Sequence, residues 1–363
     1  MNPLTENISR LDRRIGGSPT LDAALGPLGD LVNGATWIGD AAGWNLMVVP
    51  SPKDPKNPFL VMVNKLFETH SFDAVPGPVP NRSAANGTAR NGAVKYSQTV
   101  AELLSKNILH EETGMWLNQT LGTLPTDPSG FGLQAVAGDP YAADVTTNPV
   151  VRSGTIPHGN TVSASGISLE FPGLTPTTNM DVSPWLALQN FGVRDGGTLN
   201  FVPARQSGEP LPDGFMDTYM SQLEASLVRI GFPPGNSHKV TAQDLINPVP
   251  HLLNSAANNI VNVTALQVTT VGEDRGAVIN VPFETTVAAP LSFTCTFMIE
   301  TVVTPDFNPD PGQPNILQPT QDENPTFLQL QYLTSIPLLF PNFFGPGDGV
   351  IFPHFNLNTL VAI

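Results

Sequence analysis

The chain has 363 residues, enough for two domains or one enlarged domain with a sizeable core. It carries 31 acidic against 16 basic residues, a formal net charge of −15, and no Lys/Arg cluster that could neutralise phosphates, which argues against nucleic-acid partners and anionic membranes. Only 13% of residues are charged and 37 are proline, which excludes long exposed Glu/Lys helices and favours many short strands joined by turns.

The start, Met1-Asn2-Pro3-Leu4-Thr5-Glu6, lacks a charged segment followed by an apolar run, and no stretch nears the roughly 18 apolar residues of a spanning helix. The expectation is a soluble, cytoplasmic protein. Cys295 is the only cysteine, which excludes internal disulfides and multi-cysteine metal sites and fits a reducing compartment.

In chain order, residues 20–32 suggest a short helical turn capped at Ser18 or Thr20 and interrupted by Gly26-Pro27. Strands are predicted over 34–40 running into 44–49, then 59–68, 94–102 and 109–117. In the last of these, period-two geometry places His110, Glu112, Gly114 and Trp116 on one face and Glu111, Thr113, Met115 and Leu117 on the other. A long loop follows to about Pro149, and then strands over 150–160 and 162–171.

From 172 to 257 the pattern changes. Met216, Met220, Leu223, Leu227 and Ile230 recur at helical spacing, Gly231 to Gly235 stops that helix, and a second short helix is expected from Thr241, with Asp244 as a weak capping partner. Strand signals resume over 260–269, 277–285, 291–302, 327–333 and 354–361. About ten short strands in order predict an up-and-down antiparallel β-barrel made of 1–171 and 258–363, with 172–257 as a partly helical insertion or lid. Such a barrel has room for one small ligand.

No Ser-His-Asp order, phosphate-binding loop, dinucleotide fingerprint or tight set of metal ligands stands in the chain. Six histidines occur, and two contexts stand out. His354 opens the last strand after Phe352-Pro353 among apolar neighbours, where a neutral imidazole could face an interior cavity, and His110 opens another strand with two carboxylates behind it. Cys295 alternates with Phe293 and Phe297, the pattern of a buried, inert thiol, and the tryptophans read as core.

Several segments add a resemblance: Leu25-Gly26-Pro27-Leu28, Gly34-Ala35-Thr36-Trp37-Ile38-Gly39, Tyr96-Ser97-Gln98-Thr99, His110-Glu111-Glu112-Thr113-Gly114-Met115-Trp116, Ile156-Pro157-His158-Gly159 and Phe352-Pro353-His354-Phe355-Asn356-Leu357-Asn358. In this order the chain resembles the nitrobindin family of heme-binding β-barrels, and especially its larger bacterial members. The resemblance implies heme b with His354 as the proximal iron ligand, and His110 with Leu109 near the distal side. It implies further that Trp37 packs a barrel end, that Tyr332 borders the distal face, and that His158 matches a segment of the larger relatives. A neutral imidazole on heme iron leaves the sixth position to be governed by distal polarity, with His110 as acid–base group and Glu112 tuning it.

The expected activity is thus heme-dependent handling of peroxide, nitric oxide or peroxynitrite, as a peroxidase, a peroxynitrite isomerase-like enzyme or a binder. Heme and a small molecule are the expected partners, with homo-oligomer formation left open. Two other readings stay open at this point: a lipocalin-like carrier of an apolar molecule without metal, and a non-catalytic structural β-protein.

Overall fold

A computed structural model describes residues 24–51, 58–76, 79–80, 90–119, 146–157, 159–171, 193–195, 198–231, 260–272, 275–281, 287–303 and 326–363. Ten long strands dominate: β1 (Thr36–Pro50), β2 (Phe59–Ala74), β3 (Arg90–Glu102), β4 (Ile108–Gln119), β5 (Thr146–Ile156), β6 (Asn160–Phe171), β7 (Ile260–Thr269), β8 (Thr294–Val303), β9 (Thr326–Ser335) and β10 (Phe355–Ala362). Each pairs antiparallel with the next, β10 pairs with β1, and β6 pairs with β7 from Ser165↔Thr269 to Phe171↔Val263. The ring is therefore closed, an up-and-down barrel with no free edge along its paired wall.

The alternation read from the sequence sorts the side chains. Glu68, His70 and Phe72 on β2, Tyr96 and Gln98 on β3, Glu112 and Trp116 on β4, Arg152 on β5, Cys295 and Phe297 on β8, and Tyr332 on β9 turn inward and are buried. Glu111, Thr113 and Met115 are exposed on the outer face of β4. β1 is one strand rather than two pieces; its register shifts between Asp40 and Trp44, a bulge that keeps both halves in the sheet.

One end of the barrel is closed by a turn of 3-10 helix at Gly26–Leu28 running into α1 (Gly29–Gly34). Residues 24–25 are already helical, and at Gly26-Pro27 the winding tightens to 3-10 before α1 resumes at Gly29, so Gly26-Pro27 interrupts the helical turn as expected. Ser18 and Thr20 lie outside the described residues, and neither Leu25 nor Leu28, the residues at the cap positions, makes a side-chain capping bond. Leu25, Leu28 and Leu31 bury themselves on Trp37, Trp116, Val94 and Val150.

A second apolar layer coats part of the outer wall. Trp44, Leu46, Val48, Val61 and Val63 face Tyr219, Leu223 and Leu227 of α2 (Phe215–Arg229) and Phe340, Val350 and Phe352 of a hairpin formed by Leu338–Gly345 and Asp348–Phe352. The helix matches the predicted periodicity; the hairpin went unread in a stretch broken by Pro and Gly. α2 also answers a backbone need. β3 reaches β2 only from Leu66 onward, and along 59–63 the open edge is met by α2 side chains instead. Val61 N–H donates to Gln222 Oε1 (2.8 Å), Val63 N–H to Ser226 Oγ (2.7 Å), Gln222 Nε2 to the Phe59 carbonyl (3.1 Å) and Arg229 Nη2 to the Val63 carbonyl (2.9 Å). The helix expected from Thr241 lies outside the described residues.

Among the described residues no helix is long and apolar enough to cross a membrane.

Candidate functional site

The lumen is not an empty cup at mid-height. Trp116 of β4 meets Phe297 of β8 with ring centroids 5.2 Å apart, and His70 of β2 meets the same ring at 6.0 Å, so side chains from facing walls touch across the middle. Room for one small ligand is therefore to be sought away from mid-height, where bulky inward residues on at least three strands fill the radius of a ten-stranded ring.

Between these rings runs a buried polar network with two carboxylate centres. At the first, Glu68 Oε1 accepts from His70 Nε2 (2.5 Å) and Gln98 Nε2 (2.7 Å), while Oε2 accepts from Asn358 Nδ2 (2.8 Å) and from the Tyr332 hydroxyl (2.6 Å). Burial alone would raise this carboxyl; the His70 imidazole and the hydrogen bonds from His70, Tyr332 and Asn358 outweigh it and hold Glu68 below the usual carboxylate range. His70 is 1% exposed, and its Nδ1 finds no hydrogen-bond partner among the described residues.

At the second centre, Glu112 Oε1 accepts from Arg152 Nη2 (2.8 Å) and from the Tyr96 hydroxyl, and Oε2 faces His110 Nε2 at 3.3 Å. Burial again opposes ionisation, but Arg152, then His110 and Tyr96, pull Glu112 down to about 2. Arg152 Nε donates to the Tyr96 oxygen (3.1 Å) and Nη1 to Cys295 Sγ (2.9 Å). Gln98 links the centres, donating to Glu68 and accepting from Arg152 Nη2 at 3.5 Å. The room for this packing comes from Gly114 and Gly154, paired side by side: a Cβ at 114 would stand 2.8 Å from the Tyr96 ring, and one at 154 would strike Glu112 Oε1 and the Tyr96 oxygen.

Of the histidines singled out from the sequence, His110 is half-buried at the rim away from α1, and it shares its face with Glu112 and Trp116 as expected. His354 is also half-buried, just ahead of Phe355, its carbonyl accepting from Ile336 N–H at 2.8 Å. The start of β10 pairs with Ser335 and Leu46, and antiparallel alternation through β1, β2 and β3 brings the start of β4 to the same end. β10 and β4 lie four strands apart in a ring of ten, so His354 and His110 stand on nearly opposite walls of one rim.

The other expected cofactor contacts are spread over the barrel. Trp37 packs the closed end, as its resemblance implies, with Nε1 donating to the Leu31 carbonyl at 3.1 Å, and so stands apart from the rim. Tyr332 is deep in the lumen with its hydroxyl committed to Glu68. Leu109 is half-buried at a bulge beside His110, where the register of β3 and β4 shifts, and His158 lies outside the described residues. Cys295 is buried, and burial pushes its thiol up, in keeping with an inert role.

Sequence reading missed Glu68, His70, Tyr96, Gln98 and Arg152 as members of the site. The signal was present: in a chain with 13% charged residues, Arg152 sits two residues from Val150, and His70 two from Phe72, on faces that must be internal if those apolar partners are.

No family model and no curated protein matches this chain. Among solved structures it is similar to Rv2717c from M. tuberculosis, at 12% identity over 95% of this chain and 98% of that one, with a TM-score of 0.33. RV0216 from Mycobacterium tuberculosis, a conserved hypothetical protein with a double hotdog fold, aligns at 10% identity over 97% and 85%, with a TM-score of 0.12. The barrel assignment rests on this chain's own strand pairing.

Proposed function

We propose that the protein holds heme b at the rim of its barrel away from α1, with His354 as the iron ligand and His110 on the facing wall, and that it handles a small oxidant or gas there. The observation that carries the reading is the placement of these two histidines on nearly opposite walls of one rim, above a lumen already filled with side chains. The donor set fits this group. A bare ion asks for three or more protein ligands, and no cluster of three His, Cys, Asp or Glu occurs among the described residues, whereas heme brings four nitrogens and asks the protein for one imidazole.

When bound, heme would supply an open coordination position for peroxide, nitric oxide or peroxynitrite. The chain's own work is done opposite. Glu112, ionised by Arg152, presents Oε2 to His110 Nε2 and orients that ring, and His110 is the exposed end of the network that can give or take a proton at the rim. Peroxidase or peroxynitrite isomerase-like turnover would depend on that proton.

The test is the absorption spectrum of the purified protein with and without added hemin, in wild type and His354→Ala. We expect a Soret band in wild type and hemin affinity weaker by at least roughly tenfold in the variant. No band in wild type, or equal affinity in both, removes the reading; uptake of an apolar fluorescent probe without hemin binding would point to a carrier instead.

A further inference from the structure

The two His–Glu pairs differ in one respect that spacing does not explain. Only the pair whose histidine reaches the rim has a cation behind it: Arg152, 2% exposed, lies on the side of Glu112 away from His110. A guanidinium so deep is costly to place, and four of its five N–H donors have partners. Nη2 takes Glu112 Oε1 and Gln98, Nε takes Tyr96, and Nη1 takes Cys295 Sγ. Four rings, Tyr96, Phe293, Phe297 and Trp116, surround its carbon at 5.0, 5.2, 5.6 and 5.7 Å. The fork has one orientation available.

That orientation divides the labour of the carboxylate. Oε1 is held by Arg152 and Tyr96 on the lumen side, so Oε2 is the oxygen left to face His110. Turning the carboxylate plane or shifting it away from His110 would break both contacts at once. We propose that Arg152 is a positioning residue that acts through Glu112 to fix the His110 ring at the barrel rim. Lysine would keep the charge but not the planar fork, so it would leave Glu112 a cationic partner without fixing the plane in which the carboxylate faces His110. The inference deepens the reading of the rim as a reactive site, and it is tested on protein without heme so that the two can fail separately.

The experiment is carbethoxylation by diethyl pyrocarbonate, followed residue by residue by mass spectrometry, in wild type, Arg152→Lys and Tyr96→Phe. Sealed His70 is the internal standard, near-UV circular dichroism reports packing, and hemin spectra are taken on the same preparations. We expect His110 to be modified roughly threefold to tenfold faster in folded Arg152→Lys, with His70 still protected. An unchanged His110 rate in that folded variant overturns the proposal and leaves Arg152 a purely structural cation. Should Arg152→Lys not fold, Tyr96→Phe decides, since it removes one of the two donors on Oε1 without altering charge; a His110 rate raised about twofold supports the proposal, and an unchanged rate overturns it. Wild type that fails to bind hemin while the variant still frees His110 sinks the heme reading and keeps the positioning role; hemin binding with His110 unmoved does the reverse.

Discussion

Glu68 with His70 and Glu112 with His110 use the same parts: a carboxylate and an imidazole two residues apart on one strand, plus a tyrosine hydroxyl from elsewhere in the barrel. β2 and β4 run parallel to each other, since each is antiparallel to β3 between them. On β2 the glutamate comes first and on β4 the histidine does. From the rim inward, β2 therefore presents carboxylate then imidazole, and β4 imidazole then carboxylate. A reversal of two residues, about 6–7 Å along a strand, seals one histidine in the middle of the lumen and leaves the other at 17% exposure. The same chemistry thus becomes an interior tie in one place and a rim group in the other.

The means of ionisation differ as well. Glu112 leans first on a guanidinium, whereas Glu68 leans first on the charge and hydrogen bond of the His70 imidazole and then on the neutral donors Tyr332 and Asn358, with Gln98 also donating to it. Removing the charged partner should cost most. Arg152→Met leaves a buried carboxylate without its cation and is expected to lower unfolding stability by about 3–5 kcal/mol. Tyr332→Phe takes one donor of several from Glu68 and should cost about 1–3 kcal/mol. Denaturant titrations of the two variants check the order, and equal losses would mean that the two centres are held by the same kind of force.

A third buried carboxyl sharpens the contrast. Glu300, on the outer face of β8, receives one amide donor, Gln329 Nε2 at 2.7 Å, and burial pushes it up to about 8. The unfolded chain sheds this proton near the ordinary 4.5, while the folded protein keeps it until about 8. Stability from Glu300 is therefore fully present below about 4.5 and is lost as pH rises from there through 8. Glu300→Gln, which never ionises, should gain on wild type by about 1–3 kcal/mol between pH 5 and pH 8. Parallel stability profiles over that range would show that Glu300 is already ionised in the fold, and that one amide suffices where Glu68 has several donors.

The barrel was legible because a half-buried strand writes its geometry into period two, as β2 and β4 do, whereas β7, β8 and β9 are buried on both faces over 263–269, 295–300 and 329–335 and announced themselves as short apolar and β-branched runs. The inward face of β4 was read residue for residue from His110 to Trp116. What stayed hidden has a common cause. Inward polar residues look like solvent-facing ones to any reading based on hydrophobicity, so Glu68, His70, Gln98 and Arg152 were passed over although their neighbours at i±2 are apolar or internal. The strand of Tyr332 was legible over 327–333 but its partner was not: Glu68 lies 264 positions away and only closure of the ring brings them together. The hairpin after β9 escaped because Pro337, Pro341 and Pro346 break its pattern while its phenylalanines pack against α2.

Gln98 is the smallest part of the network and decides whether there are two centres or one. Its amide donates to Glu68 at 2.7 Å and accepts from Arg152 at the long distance of 3.5 Å. If that link transmits strain, Arg152→Lys and Tyr332→Phe should be non-additive by about 0.5–1 kcal/mol, a coupling between side chains that share no direct hydrogen bond. Repeating the double-mutant cycle on a Gln98→Met background should bring the coupling to about zero, because methionine keeps the volume and loses both polar ends. Persistent coupling would place the connection in the shared packing around Phe297, which touches the rings of both His70 and Tyr332 and lies under the guanidinium of Arg152. Additivity already in the wild-type background would make the 3.5 Å contact incidental and each centre independent, so that changes at the sealed pair leave the rim histidine untouched.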